Sequence, residues 1–124
     1  LALKGRVEKL RDELNDFLEV TKVQGASVYL YGASTKGNTL LQYCGIDNSL
    51  VQAAADRNPA KWGSRTPRSD IPIISEEEAR EQKPDYFLVL PWHFREEFLE
   101  RERAFLEAGG RMIFPLPKLN IYTA

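Results

Sequence analysis

Two short segments hold most of the residues able to do chemistry. The first, Gly32-Ala33-Ser34-Thr35-Lys36-Gly37-Asn38, opens a helix, so its consecutive backbone N–H groups sit at the positive end of a helix dipole, where a phosphate or carboxylate is favoured. Lys36 in that first turn opposes the dipole by about 0.3–1 kcal/mol, a cost offset when an anion binds and small when the side chain points to solvent. The second segment, Pro91-Trp92-His93-Phe94-Arg95, contains the only histidine. His93 has no second histidine, no cysteine but Cys44 and no nucleophile elbow to join, which supports neither a catalytic triad nor a zinc centre. It reads as a structural hydrogen-bonding group or a ligand-orienting one. Trp62 either stacks on a base or packs back onto the sheet.

Known fingerprints fit the first loop only in part. Against the dinucleotide pattern G-x-G-x-x-G it keeps Gly32 and Gly37 but has Ser34 in the middle, where glycine lets a pyrophosphate approach the backbone. Asp56, 19 residues past Gly37, is placed like the acid that binds an adenosine ribose. The phosphate loop of nucleotide hydrolases does not fit, because Lys36 precedes the second glycine and Asn38 follows it. The glycine-rich motif of methyl donors is missing. Ser75-Glu76-Glu77-Glu78 has the pattern of a capping box, so its acids mark a helix start and not a metal site.

The elements that position these loops follow from hydrophobic spacing. Leu3, Val7, Leu10, Leu14, Phe17 and Leu18 recur at helical spacing, predicting an amphipathic helix to about Val20. Short β-rich runs predict strands at 26–31, 50–56, 71–74, 86–90 and 112–114. A helix after the first strand ends at Gly45 as its C-cap, with Cys44 as core filler. Another begins at Ser75, and a third carries Phe94, Phe98, Leu99, Phe105 and Leu106 before Gly109-Gly110 stops it. Arg57 to Asp70 has too many breakers for regular structure and reads as a binding loop or slack, and Pro115 and Pro117 prevent extension of the last strand.

Alternation of this kind predicts a single Rossmann-like α/β domain over residues 1–124: three layers around a five-stranded parallel sheet of order 3-2-1-4-5, with an extra N-terminal helix. The order reverses between strands 1 and 4, so a ligand is expected beyond their carboxyl ends, between Gly32–Asn38 and Trp92-His93.

Composition bounds the function. The 124 residues carry 17 Lys+Arg against 18 Asp+Glu, a balance that argues against nucleic-acid binding. One cysteine excludes an internal disulfide or a structural zinc cluster. No apolar run approaches the roughly 20 residues of a membrane span, and a cytoplasmic location is the expectation. The chain starts at Leu1, as a processed chain or a piece of a longer one would.

Several blocks in order resemble a known family. Tyr31 to Ile46 (YGASTKGNTLLQYCGI), Ala55 to Gly63 (ADRNPAKWG), Thr66-Pro67, Ile71 to Ile73, Pro84 to Phe94 (PDYFLVLPWHF) and Gly109 to Pro117 (GGRMIFPLP) look like the C-terminal domain of S-adenosylmethionine-dependent sugar C-methyltransferases, across about Leu3 to Leu119. The resemblance implies a larger enzyme with an N-terminal zinc-binding region and a middle S-adenosylmethionine domain, methylating a ring carbon of a nucleotide-linked keto-deoxysugar. It implies that this domain holds the nucleotide diphosphate-sugar against the methyl-donor domain. Carried over by position, Gly32, Ser34, Lys36, Gly37 and Asn38 would lie near the diphosphate, with Asp56, Asn58 and Lys61 nearby and Trp92 and His93 as the opposite lip. No catalytic or metal-ligating residue and no cofactor is expected in this chain, which alone should not transfer a methyl group. The family usually continues Thr-Pro with Gly-Thr-His, whereas Arg68, Ser69 and Asp70 stand here. The other readings are a dinucleotide or coenzyme A domain, using Gly32 to Gly37 and Asp56, and a ligand-free interaction module docked through its N-terminal helix.

Overall fold

The structure, a computed structural model, describes residues 2–124; Leu1 and the side chains of Ala2, Leu3, Lys4 and Arg6 lie outside the described residues. A 22-residue helix, α1 (Ala2–Val23), leads into β1 (Val28–Tyr31), α2 (Thr35–Cys44), β2 (Ala53–Asp56), β3 (Ile73–Ser75) and α3 (Glu76–Gln82). Then come β4 (Tyr86–Leu88), α4 (Arg95–Arg101), α5 (Arg103–Glu107), β5 (Arg111–Phe114) and β6 (Asn120–Tyr122). Single 3-10 turns stand at Pro59–Lys61 and Trp92–Phe94.

The strands form one sheet in the order β3-β2-β1-β4-β5-β6. The first five pair in parallel, in the expected sequence, but the sheet is mixed and six-stranded where five parallel strands were expected. Pro115 and Pro117 do stop β5. The chain then turns back, and Asn120–Tyr122 pairs antiparallel with Met112–Phe114. Three residues are too few for a strand periodicity to register in sequence.

Helices cover both faces. On one, Leu14 and Leu18 of α1 and Leu41 of α2 pack over Val28, Leu30 and Leu88. On the other, Ala79 of α3, Phe98 of α4 and Leu106 of α5 pack over Phe87, Met112 and Phe114. Phe87 of β4 serves one cluster and its neighbours Tyr86 and Leu88 the other, as strand geometry requires. The helix ends follow the sequence signals. Ser34 Oγ accepts the Gly37 N–H, Gly45 closes α2 in the left-handed conformation at φ 70°, and Ser75 Oγ accepts the Glu78 N–H. Only half of the expected capping box forms, since the Glu78 carboxylate accepts from Gln82 instead of reaching back.

Two expectations of extent are corrected. The third predicted helix is broken at Glu102 (φ −101°, ψ 27°) into α4 and α5. The stretch from Arg57 to Asp70 is neither slack nor featureless. Gly63 N–H donates to Ile73 O and Ile73 N–H to Ser64 O, covering the outer edge of β3. Thr66 Oγ1 accepts the Ile71 N–H and hydrogen-bonds Ser69, while Asn38 and Gln42 of α2 both donate to Pro67 O.

Within this turn Arg68 is held at φ 64°, where a residue with a Cβ is strained. Arg68→Gly should therefore stabilise the domain slightly, by about 0.5 kcal/mol after the extra freedom glycine gives the unfolded chain. A urea melt with a higher midpoint and unchanged slope is the expected result. A lower midpoint would mean that Arg68 side-chain contacts outweigh the strain.

Candidate functional site

The carboxyl ends of β1, β2 and β4 converge where β4 lies directly beside β1 and the helices that follow them leave on opposite faces. Asp56, ending β2, fastens two of the loops together. Its Oδ2 accepts the Ala33 N–H at 2.9 Å and lies 3.6 Å from Lys61 Nζ, and its Oδ1 accepts the Asn58 N–H at 2.8 Å. Lys61 Nζ also donates to Ala33 O at 3.1 Å, and the Trp62 indole N–H donates to Asp56 O at 2.8 Å. Trp62 thus ties back to the end of β2, and Asn58 caps the turn after it by accepting the Ala60 N–H.

At the start of α2, Ser34 O accepts the Asn38 N–H and Ser34 Oγ accepts the Gly37 N–H. Among the described residues no protein acceptor takes the N–H of Thr35 or Lys36, the two that open the helix. The Lys36 side chain is exposed and forms no ion pair among the described residues. Gly37 is buried, and a Cβ there would lie 2.9 Å from Ser34 Oγ and 3.1 Å from Leu90 Cδ1, so the approach of the helix to the loop after β4 requires glycine. Asn38 is buried as well, its amide committed to Pro67 O and to the Ser69 hydroxyl.

After β4, Trp92 and His93 lie in the 3-10 turn with their rings 4.2 Å apart. A cavity of about 370 Å³ opens between these loops and the α3/α4 face. It takes in Gly32 and Asp56 of the expected set, but its opposite wall is Pro91, Phe94 and Phe98. This cavity is therefore not the expected pocket shared by the Gly32–Gly37 backbone and the Trp92-His93 pair. In a 3-10 turn residues three apart eclipse, so Pro91 and Phe94 share the cavity side while Trp92 and His93 do not line it. Ser34, Lys36, Gly37, Asn38, Asn58 and Lys61 also lie outside its wall.

Beneath the cavity is a buried ionic cluster that the sequence motifs do not announce. Glu102, 1% exposed, accepts from Arg80 Nη2 at 2.6 Å, from Arg80 Nε at 2.9 Å and from the Tyr31 hydroxyl at 2.7 Å. Arg101 donates to the same hydroxyl at 3.3 Å and lies 3.8 Å from Glu76 and 3.7 Å from Glu97. Burial pushes the Glu102 carboxyl up, but the hydrogen bonds from Arg80 and Tyr31 and the nearby guanidinium charges outweigh it, leaving a net value below the usual range. Burial, then the bond to Glu102, holds the Tyr31 phenol well above its ordinary value. The signal for this cluster lies in spacing: Phe98, Glu102 and Leu106 are four apart, which sets a carboxylate in the middle of an apolar helix face.

Among the described residues no group of three or more His, Cys, Asp or Glu is placed to hold a metal ion, and no helix is long and apolar enough to cross a membrane. A helix N-terminus with open amides at the switch point of an α/β sheet is where domains of this architecture commonly take anionic ligands. Comparison with known proteins then specifies the family. The family model described as C-methyltransferase C-terminal domain matches residues 1–117, and the chain belongs to that family. It is 37% identical over 117 residues to the C-methyltransferase NovU of Streptomyces niveus, an alignment covering 94% of this chain and 28% of that protein.

Proposed function

We propose that this chain is the part of a sugar C-methyltransferase that holds the nucleotide diphosphate-sugar, presenting it to a methyl-donor domain that lies outside these 124 residues. The observation that carries the reading is the start of α2: two open amides, Thr35 and Lys36, beside an exposed Lys36 ammonium, so that a bound anion would meet backbone donors and a positive charge together. Asp56 is occupied by Ala33, Asn58 and Lys61, which argues against its use as the ribose acid of a dinucleotide site. In this reading S-adenosylmethionine and zinc belong to the remainder of the parent enzyme, whose setting is cytoplasmic. In this reading His93 orients substrate by hydrogen bonding and is not the base, because among the described residues no side chain hydrogen-bonds to it to fix its tautomer.

Calorimetric titration of the chain tests this. A thymidine diphosphate sugar should bind saturably, and S-adenosylmethionine should give no binding heat. Stoichiometric binding of S-adenosylmethionine, or none of the nucleotide-sugar, would overturn the reading.

A further inference from the structure

We propose that a cavity at the opposite end of the sheet binds a small monocarboxylate with a flat apolar body, at a site separate from the one read above and independent of that reading. The cavity, of about 410 Å³ and so within the range of small-molecule pockets, lies between α3 and α5, where Asp85 and Gly110 lead into the amino ends of β4 and β5. Its wall joins an apolar side to a cationic one. Each is held in place by contacts deeper in the domain.

The apolar side comes from Pro84, from Ala104 and Phe105 of α5, and from Ala108 just after it. The Phe105 ring is fixed on two sides. It packs against Phe87 with centroids 4.7 Å apart, and it rests on the Gly110 backbone, where a Cβ would overlap the ring. Ala104 and Ala108 stand one turn apart and exposed beside it, so space that longer side chains would fill stays open. An aromatic ring flanked by small methyl groups fits a flat apolar ligand.

The cationic side comes from Arg80 and Lys83. Arg80 donates from Nε and Nη2 to Glu102, itself 1% exposed, and from Nη2 to Glu76, so the guanidinium is pinned while its Nη1 makes no hydrogen bond among the described residues. A guanidinium held this way has little freedom left to lose, and its remaining N–H donors suit a carboxylate. Lys83, closing α3, is exposed and forms no ion pair among the described residues. Asp85 is the carboxylate of this wall, and its Oδ2 already accepts the Ser27 N–H at 2.7 Å and the Ser27 hydroxyl at 3.2 Å. Two cations against that engaged carboxylate suit one negative charge, and the apolar side gives inorganic phosphate nothing to contact.

The test uses the 124-residue chain with naphthoate, its uncharged counterpart naphthalenemethanol and inorganic phosphate as probes, followed by amide chemical shifts and calorimetry. Naphthoate should bind saturably and shift the amides of Phe105, Gly109 and Gly110. The alcohol should bind about tenfold or more weakly at the same amides, and phosphate should leave them unmoved. Lys83→Gln should weaken naphthoate about tenfold and leave the alcohol unchanged. Ala108→Leu, at an exposed position, should keep the thermal melt and abolish binding of both. Naphthoate that shifts no amide around this cavity, shifts only those of Thr35 and Lys36, binds no better than the alcohol, or binds both variants as it binds the wild type overturns the proposal.

Discussion

Glu102→Ala should destabilise the domain by about 3 kcal/mol, a large part of the roughly 5–15 kcal/mol available to a domain of this size. Removing one partner of a buried ion pair leaves the other without its counter-charge; here the Tyr31 hydroxyl loses its acceptor and the Arg80 guanidinium loses two hydrogen bonds. The figure is set at the low end of such losses because the Arg80 side chain is 39% exposed and keeps Glu76 at 3.2 Å, so solvent and a second carboxylate relieve part of the charge. The apparent melting temperature should fall by about 10 °C. Replacing both partners, as in Arg80→Met with Glu102→Leu, should recover part of the loss, since apolar groups of similar volume leave nothing buried and unpaired.

The same cluster predicts a pH dependence. The folded Glu102 carboxyl lies below its ordinary value of 4.5, so its contribution is complete above that value and is lost as pH falls through the lower, folded one. The stability gap between wild type and Glu102→Ala should be constant from neutral pH to about pH 5 and narrow below it. Denaturant melts across that range check the point. A gap under 1 kcal/mol at neutral pH, or one that widens in acid, would show that the cluster contributes no net stability.

How far the sequence foretells this molecule depends on the length scale of each signal. Period and punctuation are local, so the Leu14 and Leu18 face of α1, the buried run at Tyr86–Leu88 and the caps at Ser34, Gly45 and Ser75 could all be read in advance. β6 could not, because three residues after two prolines carry no period, and only the exposed edge of β5 makes them a strand. The site divides in the same way. The opening of α2 is a contiguous motif and was legible. The cavity depends on which side of a 3-10 turn faces inward, and that choice exchanges Trp92 and His93 for Pro91 and Phe94. Asp56 matches a ligand-binding position by spacing alone, yet its oxygens are engaged by Ala33 and Asn58, pairings that form only once the two loops meet.

Lys36→Ala should weaken nucleotide-sugar binding by one to two orders of magnitude while leaving the fold intact or slightly more stable. A hydrogen bond from an ammonium to a phosphate oxygen is worth about 1.5–3 kcal/mol, or roughly tenfold to somewhat over a hundredfold in affinity. Stability should move in the other direction. Lys36 is exposed in the first turn of α2, where a cation opposes the dipole by about 0.3–1 kcal/mol, and alanine is a better helix former. Opposed signs separate an anion site from a merely structural lysine, because a residue that served the fold would lose stability first and binding only as a consequence. Two measurements on the same preparation decide it: a denaturant midpoint at or above the wild type, and a dissociation constant for a thymidine diphosphate sugar raised at least tenfold. Salt sharpens the comparison, since the wild-type advantage should shrink as ionic strength rises and the exposed ammonium is screened. A variant that melts earlier yet binds as well as the wild type would remove the anion from the start of α2, and with it the reading of this domain as the holder of a diphosphate.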